Sequence, residues 1–194
     1  MIRQIAKPGK ILPRWLVVAM LITTGFLGLI EVSKRPIFAS PGGIQFQWDP
    51  DPSFKRLKSF QTSGKRMERS FYYFFLRERE RKTGILKLTI KVPDYFKAKI
   101  KTENLTLCQA KIGGFKARSK CIENVPAVFE VTKGQSQIDI FPDQPIPVDS
   151  KTYAVLMKIR NPRRAGMFQF HGYAQSTGAM PMASYIGSWP FQVE

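Results

Sequence analysis

The stretch Gly84-Ile-Leu-Lys-Leu-Thr-Ile-Lys-Val92 decides the reading of the fold. Successive side chains of an extended backbone point to opposite faces. Leu86, Leu88, Ile90 and Val92 therefore share one face, and Lys87, Thr89 and Lys91 share the other. This is the pattern of a half-buried strand, and Pro93-Asp94 stops it.

Downstream, strand-like segments recur at 104–110, 127–132, 135–141, 152–160, 167–175 and 185–193. Turn chemistry separates them: Gly113-Gly114, Lys133-Gly134, the run from Pro142 to Pro147, Asn161-Pro162 and Gly178. Many short strands with few helical periods predict a mainly β chain folded as an antiparallel β-sandwich of immunoglobulin-like type. Pro145 and Pro147 belong to a long connection, since proline cannot sit in a central strand.

Upstream, Ile44-Gln-Phe-Gln-Trp48 alternates and reads as a further strand, followed by turn residues Asp49-Pro50-Asp51-Pro52. Residues 53–69 are polar and cationic. Phe54, Leu57 and Phe60 stand there at helical spacing, which suits a loop or a short amphipathic helix. Ser70-Phe-Tyr-Tyr-Phe-Phe-Leu76 is a continuous aromatic run. It leads into Arg77-Glu-Arg-Glu-Arg-Lys82, whose alternating charges suit a solvated strand extension or a helix.

The chain of 194 residues carries a formal charge of +17. Apolar residues make up 43% and aromatic residues 12%, which excludes a disordered chain. The charge is concentrated: residues 54–101 hold 15 Lys/Arg against 4 Asp/Glu, and residues 102–194 hold 10 against 7. Such an excess attracts anionic surfaces.

Residues 1–14 carry Arg3, Lys7, Lys10 and Arg14 and no acid, and the uncharged run 15–30 follows them. This is the layout of an export signal, positive end inside. The run is 16 residues long. That lies between a signal core of ~7–15 and a membrane span of ~20. Both a signal cleaved after Ala39 and a retained anchor through residues 15–30 fit. The division predicted is a signal or anchor over 1–39, a basic, aromatic-rich linker with an edge strand over 40–82, and the sandwich over 83–194.

Cys108 and Cys121 are the only cysteines. In an exported chain an even pair reads as a disulfide. Metal binding would need further ligands at short spacing, and the only histidine is His171. No metal or cofactor is expected.

The C-terminal half carries an ordered set of features. They run from Phe129-Glu-Val131 through Ile138-Asp-Ile-Phe-Pro-Asp-Gln-Pro-Ile-Pro-Val148 to Tyr153-Ala-Val-Leu-Met-Lys-Ile-Arg-Asn-Pro162. Gly166-Met-Phe-Gln-Phe170 and Tyr185-Ile-Gly187 complete the set. The set, over roughly 84–193, resembles a cyanobacterial family of exported proteins known only as a domain of unknown function. The resemblance implies an envelope or thylakoid-lumen protein and carries over no catalytic residue.

For chemistry, His171 is a lone histidine on a strand, sharing a face with Met167, Gln169 and Tyr173, and reads as a surface or hydrogen-bonded residue. Asp139, Asp143 and Asp149 could serve acid–base chemistry or bind a hard cation, but their spacing matches no calcium loop. They read as turn-capping and solvated acids. Asn104-Leu-Thr106 fits a glycosylation pattern.

Lys55, Arg56, Lys58, Lys65, Arg66 and Arg69, interleaved with Phe54, Phe60, Phe71 and Tyr72, form the candidate surface for anionic partners. The expected function is a non-catalytic module outside the cytoplasm, contacting anionic lipid, an acidic envelope polymer or an acidic protein. An envelope hydrolase is one alternative. A binder of single-stranded nucleic acid is the other, and the export signal disfavours it.

Overall fold

The computed structural model describes residues 55–114, 117–178 and 182–194. These fall in a unit spanning Asp49–Glu194. The export signal or anchor over 1–39, the strand at 44–48, the turn at 49–52 and Phe54 lie outside the described residues.

Among the described residues the strands are β1 (Ser59–Gln61), β2 (Arg69–Leu76), β3 (Ile85–Lys91), β4 (Leu105–Lys111) and β5 (Lys120–Val125). They continue with β6 (Ala127–Val131), β7 (Gln137–Pro142), β8 (Tyr153–Arg160), β9 (Gly166–Ser176) and β10 (Ala183–Val193). Two five-stranded sheets result, ordered β1-β2-β8-β4-β5 and β10-β9-β3-β7-β6. Every strand pair in them is antiparallel. This is the antiparallel, immunoglobulin-like sandwich that the strand pattern predicts.

The expected break at 82/83 is corrected. Residues 59–76 supply an edge strand, β1, and an interior strand, β2, of the first sheet, so the sandwich begins well before 83. The aromatic run explains why. Tyr72, Phe74 and Leu76 point into the core and are fully buried. Phe74 meets Phe170, Trp189 and Phe191 edge-on at centroid distances of 5.2, 5.4 and 5.0 Å, the arrangement that ring quadrupoles favour. Trp189 Nε1 then donates to Phe75 O at 3.0 Å, tying the second sheet to the first through a buried bond.

The other side of β2 is not simply solvated. Tyr73 and Phe75, with Cys108, Ala110, Ala154 and Leu156, form a second buried apolar cluster on the outer face of the first sheet. Phe60, Ile112 and Cys121 pack against it. The Cys108–Cys121 disulfide forms here, with Cα atoms 5.6 Å apart.

The charge run 77–82 is also corrected. It is no strand extension but a short 3-10 helix, Glu78–Glu80, at the corner between the sheets, and its buried charges are engaged rather than solvated. Glu80 is buried and paired with Arg77 at 2.7 Å and Arg79 at 2.9 Å. Arg81 is buried too. Its guanidinium donates to Leu76 O, Pro147 O, Asp149 O and Lys151 O at 2.6 to 3.0 Å. It also pairs with the Asp149 carboxylate at 2.7 Å and lies over the Tyr153 ring. One side chain thus clamps the proline-rich connection between β7 and β8, satisfying backbone carbonyls that no strand partner reaches.

Asn161 plays the matching part at the opposite corner. It accepts from Tyr72 OH at 2.6 Å and donates to Ser63 O at 3.0 Å and Lys65 O at 2.7 Å, pinning the turn between β1 and β2.

Candidate functional site

Arg69 opens β2 and Arg160 closes β8, and the antiparallel register sets them directly opposite each other. One step along, Phe71 faces Lys158. Directly opposed residues share a face, here the outer face of the first sheet, beyond the end of the buried cluster. The sequence makes this happen by alternation. In Lys158-Ile-Arg160 the isoleucine goes inward and is buried, and both cations go outward.

The segment after β3 completes the site. Phe96 and Ile100 anchor it in the core, so the intervening Lys99 and the following Lys101 stand exposed beside β8. With Asn104 they close a groove of about 500 Å³ lined by Arg69, Phe71, Lys158 and Arg160. Among the described residues its lining holds five cations and no acid. Lys101 is bound to Glu103 at 2.8 Å, which holds that carboxyl below the ordinary range. Phe71 is 40% exposed, with the Lys158 ammonium 6.0 Å from its ring centre.

The six cations proposed from sequence do not form one patch. Lys55, Arg56 and Lys58 lie on a strip that closes the edge of the sandwich. Lys55 O accepts from Ser188 N, and Leu57 N donates to Ser188 O, both at 2.8 Å. Gly187 permits this contact: its φ is +139°, and a Cβ there would stand 2.6 Å from Lys55 O. Lys65 and Arg66 sit in the turn before β2. Lys65 is 4.0 Å from Glu68, and Arg66 donates to Glu194 O through its backbone and side chain. Of the six, Arg69 alone lines the groove. Among the paired aromatics, Tyr72 is a core residue and Phe60 packs on Tyr73, while Phe71 is available.

Sequence reasoning missed Lys99, Lys101, Lys158 and Arg160. The outward cations of Lys158-Ile-Arg160 are visible as alternation, but the cation opposite Arg160 across the sheet, Arg69, is 91 positions away.

Two of the three acids are engaged. Asp139 accepts from Thr89 at 2.5 Å and Gln137 at 2.7 Å and pairs with Lys87 at 3.2 Å. Burial pushes its carboxyl up, but these partners outweigh that and hold it below the ordinary range. Asp149 belongs to Arg81, and Asp143 is exposed. Among the described residues no group of three or more His, Cys, Asp or Glu could hold a metal ion.

His171 lies on the outer face of the second sheet, with Nδ1 2.7 Å from Ser188 Oγ, and Tyr185 OH is also 2.7 Å from that oxygen. This is a serine–histidine contact, but Ser188 has no exposed surface. Its hydroxyl is spent between two neighbours rather than presented to a substrate. Burial pushes the His171 imidazole down.

A family model described as "Protein of unknown function (DUF2808)" matches residues 46–193. The chain belongs to this DUF2808 family. The match starts ahead of β1, so the basic aromatic stretch is part of the DUF2808 domain and not an addition to it. Among curated proteins none matches.

Solved structures similar to this DUF2808 domain include the collagen-binding domain of a Staphylococcus aureus adhesin. It is 10% identical, covers 70% of this chain and 95% of that one, and has a TM-score of 0.39. BslA, a bacterial hydrophobin, is 10% identical over 73% and 95%, with a TM-score of 0.44. A putative membrane-anchored protein from Corynebacterium diphtheriae is 10% identical over 75% and 37%, also with a TM-score of 0.44.

Proposed function

We propose that this DUF2808 protein is an exported, non-catalytic binding module that holds an anionic partner in the periplasm, envelope or thylakoid lumen. The observation that carries the reading is the groove on the first sheet, where five cations converge from three chain segments with no acid in the lining. A solvated charge run needs no such convergence. Export is supported by the cations ahead of the apolar run at 15–30, and by a disulfide that persists in oxidising compartments. Binding is favoured over hydrolysis because Ser188, which touches His171, is closed to substrate.

Two measurements test this. Fractionation of cells making the full chain, with N-terminal sequencing, should recover the protein outside the cytoplasm with its thiols oxidised. Recovery in the cytoplasm with free thiols would overturn the export reading. The purified protein should be retained on anionic but not neutral surfaces, with retention falling steeply as salt rises. Equal retention on both would remove the electrostatic reading.

A further inference from the structure

Two arginines directly opposite on neighbouring strands repel, and like charges in that position destabilise a sheet. The first sheet bears this cost where a groove, three more cations and an exposed ring meet, and nothing in the core requires Arg69 or Arg160. Lys111 and Lys120 bear the same cost elsewhere on this sheet, so the repulsion alone marks nothing; at Arg69 and Arg160 it coincides with a groove that gathers three further cations and an exposed ring.

The lining narrows the occupant. Five cations gathered from three chain segments suit a ligand with repeated negative charges, and guanidinium groups bind carboxylates in paired fashion. Asn104 contributes an amide that both donates and accepts, a match for hydroxyl groups. Phe71 provides one exposed apolar ring in the lining, enough for one ring face of a ligand. Single-stranded nucleic acid is held by successive stacked bases, and among the described residues Phe71 is the only aromatic one in the lining. A bilayer offers a flat array of headgroups, whereas these cations line a groove of about 500 Å³.

We propose that the groove binds an acidic polysaccharide. Its acid groups lie between Arg69 and Arg160 and against Lys99 and Lys158, and one sugar ring rests on Phe71. This rests on the anionic-partner reading above and names its ligand class and residues.

The test uses the full protein and calorimetric titration with a short oligogalacturonate. Maltooligosaccharide of equal length, phosphatidylglycerol vesicles and oligo-dT serve as comparators. The double variant R69Q/R160Q should weaken oligogalacturonate binding by at least about tenfold, since hydrogen bonds to charged groups contribute ~1.5–3 kcal/mol each. F71A should weaken it severalfold. The control K111Q/K120Q removes the same charge from another directly opposed pair on the first sheet, outside the groove, and should change binding less than about twofold. Because the repulsion is gone, R69Q/R160Q should melt no lower than the wild type, which separates lost binding from lost folding.

Equal weakening by both double variants would overturn the site while leaving the anionic-partner reading intact. Vesicles or oligo-dT bound in preference to oligogalacturonate, or maltooligosaccharide bound equally well, would overturn the polysaccharide assignment. No binding to any anionic probe would overturn the anionic-partner reading itself.

Discussion

The Tyr72 hydroxyl donates to Asn161 Oδ1 over 2.6 Å, and both residues are buried. The bond links a strand of the core to the turn that precedes it, because the same Asn161 amide donates to Ser63 O and Lys65 O. Asn161→Ala removes all three partners at once and leaves the phenol unsatisfied. Each buried polar group left alone costs ~1–3 kcal/mol, so the urea midpoint should fall by the equivalent of about 3 kcal/mol. Tyr72→Phe should cost less, and the double variant should show clear coupling.

Arg81→Met strips the connection between β7 and β8 of its clamp. Five hydrogen bonds go, and the Asp149 carboxylate loses its cation. Asp149 is part-exposed and keeps the Tyr153 hydroxyl as a donor, so the cost lies in the carbonyls left without a donor, ~1–3 kcal/mol for each that stays buried. Amide exchange should quicken over residues 143–152 before it does in the core strands. Arg81→Lys should not rescue, because one ammonium cannot reach carbonyls spread around a planar fork.

Acid should lower the stability of the domain over two pH ranges. Burial holds the His171 imidazole below its ordinary value, so the unfolded chain takes up that proton first, and stability should drop as pH falls past ~6.5. Burial pushes Glu80 up, but hydrogen bonds from Arg77 and Arg79 outweigh it, and its carboxyl ends below the ordinary range. Asp139 is held down in the same manner. Their contribution is present above the unfolded carboxylate values of ~4 and disappears as pH falls through the lower folded values. A urea series from neutral pH to about pH 3 should show both losses, and Glu80→Gln should flatten the second.

Reduction should act locally before it acts globally. Cys108 and Cys121 are 13 positions apart, and closing a loop of this size stabilises by ~3 kcal/mol in the chain-entropy model. The C108A/C121A variant should lose about that much in a denaturant melt. It should also open the hairpin of β4 and β5, seen as faster proteolysis within residues 111–120, while its groove residues keep their exchange protection.

Most of the strands were legible because each has one wet and one dry face. The segments read from 104 to 193 correspond to β4 and to β6 through β10. β5 escaped because Lys120–Val125 is an edge strand exposed along most of its length, so it carries no alternation. Leu86 was assigned to the dry face but is exposed: a bulge between Ile85 and Lys87 shifts the register there. The run from Arg77 to Lys82 looked like solvated charge because its partners at 147–151 are remote in sequence. The groove was legible only in part, since opposed cations become neighbours only once strand order is known.

The alternation of β2 has an evolutionary consequence. Even-numbered positions from Ser70 to Leu76 are committed to the interior, while Arg69 and Phe71 look out onto the groove. Substitution at those two positions can change the groove's chemistry without disturbing the core. A single inserted or deleted residue in this strand would exchange the two sets of side chains and abolish both together. Relatives with different ligands should therefore differ here by replacement at outward positions and keep the strand's length fixed.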